Sequence, residues 1–162
     1  MTDYRWAHAG ELPAIASFFA RIVALDDSYV SHGEVQTGLS VDGRTWVADL
    51  DARMAEDMTA LGPERSVAVA MDGDRLLGAT IVLWEVTPRV SFMVVEDMAI
   101  DPAARSGGVG AGLLAFVEAE GAERGMQWAF LESGLHNDGA HRFFERHGFN
   151  AMSKVFSKKL PG

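Results

Sequence analysis

The chain has 162 residues, 48% apolar and 23% charged, with no cysteine. That is enough for one domain with a real core, and it excludes disulfides, zinc ribbons and cysteine nucleophiles. The formal charge of −9 is uneven, because residues 1–100 hold 16 acidic and 7 basic side chains and residues 101–162 hold 7 of each; no basic face stands ready for nucleic acid.

No window approaches the roughly 20 apolar residues of a membrane span, and the N-terminal residues lack the apolar core of a signal peptide. A soluble, cytoplasmic, metal-free protein with no membrane partner is expected.

Residues 4–9 alternate like a short strand. A helix is expected from Gly10 to about Leu25, with Ile15, Phe18, Phe19, Ile22 and Val23 on one face. Polar residues and glycines make 26–43 a loop or short helix. A second helix is expected over about Thr45 to Leu61, ending at Gly62-Pro63. The runs 66–71 and 76–84 flank Asp72-Gly73-Asp74, a hairpin signal. Further strands are expected at 91–100, 127–132 and 152–160, with helices from Gly112 to about Glu123 and from Asn137 to His147, where Gly148 is a stop. This order gives one domain, 1–162, with a mixed sheet, helices on both faces and a βαβ crossover over 91–132.

The most informative segment is Arg105-Ser106-Gly107-Gly108-Val109-Gly110-Ala111-Gly112, between the strand at 91–100 and a helix. Unpaired N–H groups and the positive end of the helix dipole meet at such a turn, and glycines let a bulky anion approach. A nucleoside triphosphate loop needs Lys-Ser/Thr where Ala111-Gly112 stands. The dinucleotide fingerprint needs a different glycine spacing.

Arg105-x-x-Gly108-x-Gly110, preceded by Met98-Ala99-Ile100-Asp101-Pro102, resembles the coenzyme motif of the GNAT superfamily of N-acetyltransferases. A second segment, Asn137-x-x-Ala140 with Phe143-Phe144 and Gly148-Phe149, is similar to that family's later motif. More loosely, Glu132-Ser133-Gly134 with Ala140-His141 resembles the aminoglycoside and polyamine-type branch.

The resemblance implies a GNAT-like α/β (α+β) fold: a mixed, mostly antiparallel sheet of six to seven strands, about four helices, and a V-shaped splay between strands 91–100 and 127–132. It implies acetyl-CoA as cofactor, held by Met98, Ala99, Ile100, Arg105, Ser106, Gly107, Gly108, Val109, Gly110, Ala111, Asn137, Ala140, Phe143 and Phe144. The implied chemistry is direct transfer of an acetyl group to an amine. The alternatives are a peptide or protein acetyltransferase and a non-catalytic acyl-CoA-binding regulator.

For catalysis the Met98 N–H is the expected oxyanion donor, and Glu96 is the first choice of base, with Asp97 the alternative. Strict alternation puts Glu96, Met98 and Ile100 on one face and Asp97 on the other, unless a bulge intervenes. The family's usual tyrosine is Phe144 here, which has no proton to give; Ser133, His136 and His141 are the other candidates. Residues 26–57 hold eight acids against Arg44 and Arg53. With that excess of acid, Asp26, Asp27, Tyr29, Trp84 and Glu132 are expected around a small cationic amine. The apolar segment 151–156 is a candidate strand for pairing in a homodimer.

Overall fold

A computed structural model describes all 162 residues. They form two compact units, Met1–Leu25 with Asp49–Glu132, and Asp26–Ala48 with Ser133–Gly162. No helix is long and apolar enough to cross a membrane.

The first unit is built on one five-stranded sheet, β1 (Asp3–Trp6), β2 (Arg65–Asp72), β3 (Arg75–Val86), β4 (Ser91–Ile100) and β5 (Trp128–Leu131), in that spatial order. Neighbours are antiparallel except β4 and β5, which are parallel. Gly73, at φ 58°, makes the two-residue turn between β2 and β3. The sheet is therefore mixed and mostly antiparallel, with five strands rather than six or seven.

One face of the sheet is covered by α1 (Leu12–Val23) and α3 (Leu50–Thr59). Helix α1 has Pro13 in its first turn, where a missing N–H costs nothing, and buries Ile15, Phe18, Phe19 and Ile22 against Val67, Val69, Ala79, Ile81 and Ala99. Each such large side chain contributes about 1.5–3 kcal/mol on leaving water. Ahead of α1, Glu11 accepts from the His8 N–H at 2.7 Å and from Arg5 Nη2 at 2.6 Å.

The other face is covered by α4 (Val109–Glu123), the helix that links β4 to the parallel β5. Small residues set its distance from the sheet. A β-carbon on Gly121 would stand 2.5 Å from Met93 Sδ, and one on Gly112 would collide with the Tyr4 ring. Trp6 packs edge-on against Trp84 and tilted against Phe116 beneath α4.

In the second unit, α2 (His32–Gln36) starts at Ser31, whose N–H and hydroxyl both donate to Glu34 Oε2 at 2.7 Å. Asp42 then organises a tight turn, accepting from the N–H groups of Arg44 and Thr45 at 2.8 Å. These bonds hold its carboxyl down at about 2. Helix α5 (Asp138–Arg146) ends at Gly148, φ 90°, in a Schellman arrangement: the Phe149 N–H reaches the Phe144 carbonyl and the Gly148 N–H that of Glu145. The Phe144 and Phe149 rings close it at 5.9 Å.

Two expectations are corrected. The second helix is shorter than Thr45–Leu61, because the Asp42 turn takes up the residues before Asp49. Residues 150–162 form no strand, and 151–162 are exposed throughout. The lysines at 154, 158 and 159 interrupt the apolar pattern of the expected strand.

Candidate functional site

The site grows from how β4 passes the end of β5. Pairing between them runs from Phe92 opposite Trp128 to Val95 opposite Leu131 and stops there. Strand β4 continues to Ile100 along β3 alone. The Asp101 N–H donates to the Leu77 carbonyl at 2.8 Å, which fixes the hydrogen-bonding phase of this antiparallel pair. Ala99 and Asp97 then exchange bonds with β3, while Met98 and Ile100 turn their N–H and C=O groups the other way. No β5 residue stands opposite them. The splay between these strands is thus an open backbone edge to which an extended chain can add.

A bulge sets what faces this opening. The partners of Ile81 and Val82 are Asp97 and Val95, so Glu96 is an extra residue on β4. Opposed residues share a face. Asp97 and Ala99 therefore lie with Ile81 and Ala79 on the α1–α3 side, and Met98 and Ile100 with Thr80 and Gly78 on the α4 side. Glu96 also lies on the α1–α3 side, where Arg65 grips it. This corrects the simple alternation: Glu96 shares its face with Asp97 and not with Met98 or Ile100.

Arg65 Nε donates to Glu96 Oε1 at 2.6 Å and Nη2 to Oε2 at 3.2 Å, while Nη1 reaches Glu64 Oε1 at 2.8 Å. The hydrogen bond to Glu96 pushes the guanidinium further above its ordinary value. Asp97 is exposed. Its carbonyl accepts from Thr80 Oγ1 at 2.6 Å. Glu64 and Glu96 share one guanidinium, which leaves this edge acidic.

Beyond Ile100 the chain enters the glycine turn. Asp101 Oδ1 accepts from the Ala103 N–H at 2.9 Å, and that bond, with Arg75 nearby, lowers its carboxyl below the usual range. A 3-10 turn over Pro102–Gly107 leads to Gly108, whose φ of 76° suits glycine. Helix α4 then begins, and its first i→i−4 bond is from Gly112 to Gly108. The N–H groups of Val109, Gly110 and Ala111 have no acceptor inside the helix and gather at its positive end. A β-carbon on Gly107 or Gly108 would meet no protein atom within 4 Å, so the approach is open. The residues present therefore fit a ligand that has an extended amide-bearing arm and an anionic end.

The remaining expected residues carry local duties. Trp84 is no pocket wall: it is 7% exposed, donates to Ser66 Oγ at 3.0 Å and has the Arg124 guanidinium 4.2 Å over its ring. Asn137 Oδ1 caps α5 through the Ala140 N–H at 3.3 Å. Phe143 and Phe144 pack edge-to-face at 5.3 Å. His141 Nε2 is bonded to the Gly134 carbonyl at 2.8 Å. Asp26 caps the Ser28 N–H at 2.9 Å, and Glu34 and Asp42 serve their own turns, so these three acids of the 26–57 segment are tied to local backbone. Asp27 and Tyr29 lie in the short 3-10 turn that Asp26 opens, and Glu132 follows β5.

Sequence reading passed over Arg65 and Glu64. The available signal was an arginine opening a strand at the period-two position of Val67 and Val69, a face otherwise apolar.

The chain matches the Acetyltransferase (GNAT) family over residues 36–149. No curated protein matches it in sequence. Among solved structures it is similar to a transcriptional regulator from Bacillus halodurans C-125, at 20% identity and a TM-score of 0.71 over 99% of this chain and 100% of that one. It is similar to a ribosomal-protein-alanine N-acetyltransferase from Brucella melitensis biovar Abortus 2308, at 13% identity and 0.73 over 99% and 100%. An aminoglycoside acetyltransferase from an uncultured soil metagenomic sample, in complex with sisomicin, is similar at 14% identity and 0.66 over 99% and 95%.

Proposed function

Because the chain belongs to the GNAT family of acetyltransferases, we propose that it moves an acetyl group from acetyl-coenzyme A to a primary amine of a small cationic acceptor, directly, within a ternary complex in the cytoplasm. The observation that carries this reading is the open edge of β4 at Met98 and Ile100, continuous through Asp101 with the free amides at the start of α4. Acetyl-coenzyme A, when bound, supplies an activated thioester.

Met98 and Ile100 would hold the pantetheine arm as an added strand, and the N–H groups of Val109, Gly110 and Ala111 the pyrophosphate. Arg105 would add charge beside that turn.

The Met98 N–H, fixed before reaction, stabilises negative charge on the carbonyl oxygen as the new C–N bond forms and the C–S bond breaks. Asp97, exposed to solvent, takes the first of the two protons that the acceptor ammonium loses, directly or through water, and the second passes to solvent once the C–N bond has formed. Phe144 has no proton to give, so the departing thiolate takes one from solvent.

The cationic acceptor rests on the excess of Glu64 and Glu96 over Arg65 beside the splay, which attracts an ammonium. The aminoglycoside acetyltransferase among the structural neighbours agrees with that class.

Thiol release from acetyl-coenzyme A over a panel of polyamines, amino sugars, amino-acid amides and acidic amines tests the reading. Saturable release with the cationic members supports it. Preference for acidic amines overturns the acceptor class, and saturable binding without release from any amine favours a non-catalytic regulator.

A further inference from the structure

The proposed reaction depends on the arrangement of Glu96, Asp97 and Met98, and that arrangement depends on one extra residue in β4. Nothing in Val94-Val95-Glu96-Asp97 marks a bulge by glycine or proline. Without the extra residue every later position would slip by one. Asp97 would stand opposite Thr80 on the α4 side, and Met98 opposite Ala79 with its N–H turned into β3. The open edge would lose the donor assigned to the carbonyl oxygen.

A side chain two strands away tells these registers apart. Arg65 stands opposite Leu83, which stands opposite Val94. In the bulged register Glu96 lies between Val95, opposite Val82, and Asp97, opposite Ile81, and receives two bonds from one planar guanidinium, at 2.6 and 3.2 Å, with both side chains about 30% exposed. In the slipped register Glu96 would stand level with Ile81 and Val67, farther along the strands from Arg65, where the two-point grip would have to be remade. Glu64 holds the remaining arm of the guanidinium at 2.8 Å, which limits where it can follow. Arginine suits this duty because its fork matches a carboxylate bidentately, as lysine does not.

We propose that Arg65 is a positioning residue: by gripping Glu96 across β3 it holds the bulge at 96, aims the Met98 N–H at the open edge and keeps Asp97 on the α1–α3 side. Its consequence for turnover rests on the acetyl-transfer reading; its consequence for register does not.

The test is nuclear magnetic resonance of wild type and Arg65→Met, read at the α-proton of Thr80. It faces the Met98 α-proton closely in the bulged register and the Asp97 α-proton in the slipped one. The expected result is a Thr80–Met98 contact in wild type and a Thr80–Asp97 contact in the variant, with kcat reduced at least about tenfold, as misaimed groups require. Retention of the Thr80–Met98 contact in Arg65→Met overturns the inference, whatever the turnover. If that variant does not fold, Arg65→Lys, which keeps the charge without the fork, is read in the same way. A wild-type chain that acetylates no amine sinks the acetyl-transfer reading alone and leaves the register readout valid.

Discussion

The hydroxyl end of Tyr4 occupies the place where a β-carbon on Gly112 would stand. The last glycine of the turn therefore serves the seating of α4 on β1, while Gly107 and Gly108 face open space. One glycine-rich run carries two separable duties. Gly112→Ala should force Tyr4 off its position and lower stability by about 1–3 kcal/mol, the usual cost of overpacking. Urea unfolding of Gly112→Ala, Tyr4→Ala and the double variant checks this. The double variant should lose less than the two single losses combined, and strict additivity would separate the two residues.

Gly107→Val should behave in the opposite way. A β-carbon there would meet no protein atom within 4 Å, so the unfolding midpoint should move little, whereas the Michaelis constant for acetyl-coenzyme A should rise at least about tenfold, equivalent to about 1.4 kcal/mol. Steady-state kinetics beside thermal unfolding distinguish this from general damage.

The two carboxylates at the bulge should separate in the same manner. Asp97→Asn removes the assigned proton acceptor and should lower kcat by about 10²–10⁴-fold with little change in stability. Glu96→Gln keeps the Asp97 carboxylate and leaves one amide oxygen to accept from Arg65, so the grip is weakened but not lost. It should cost about 1 kcal/mol of stability, the scale of a half-exposed ion pair. Measuring kcat and the urea midpoint for both variants tests the assignment, and a larger kcat loss in Glu96→Gln would reverse it.

Acid should weaken the fold through Glu11. Hydrogen bonds from Arg5 and from the His8 N–H lower its carboxyl from 4.5 to about 2. A depressed value in the folded state means that its stabilisation is present above the unfolded value and is lost as pH falls through about 2. Unfolding midpoints taken from pH 6 down to pH 2 should fall across the 4.5-to-2 window, and less steeply in Glu11→Gln. Equal slopes would show that the carboxyl does not couple to folding.

How far the sequence revealed this arrangement varies from residue to residue. The glycine turn was legible because a strand, Asp101-Pro102, a glycine at positive φ and an apolar helix each leave a local signature. The splay followed only from family resemblance, since which strand outruns which is a matter of register between residues 92–95 and 128–131. The bulge was not legible, because Glu96 and Asp97 read alike in a period-two pattern and only pairing with Ile81 and Val82 shows which is extra. Trp84 was misread because a strand tryptophan suits a pocket wall and a core equally, and its burial beneath α4 depends on Gly121 and Trp6, distant in sequence. The last strand failed because alternation alone does not supply a partner.

The central claim, that acetyl-coenzyme A lies along the β4 edge with its pyrophosphate at the start of α4, is most directly tested by titrating the isotopically labelled chain with acetyl-coenzyme A and following backbone amides. The expected result is saturable shifts at Met98, Ile100, Val109, Gly110 and Ala111, with Ala99, bonded to β3, moving less. Saturable binding that leaves Met98 and Ile100 unmoved, or no binding at millimolar ligand, would contradict it.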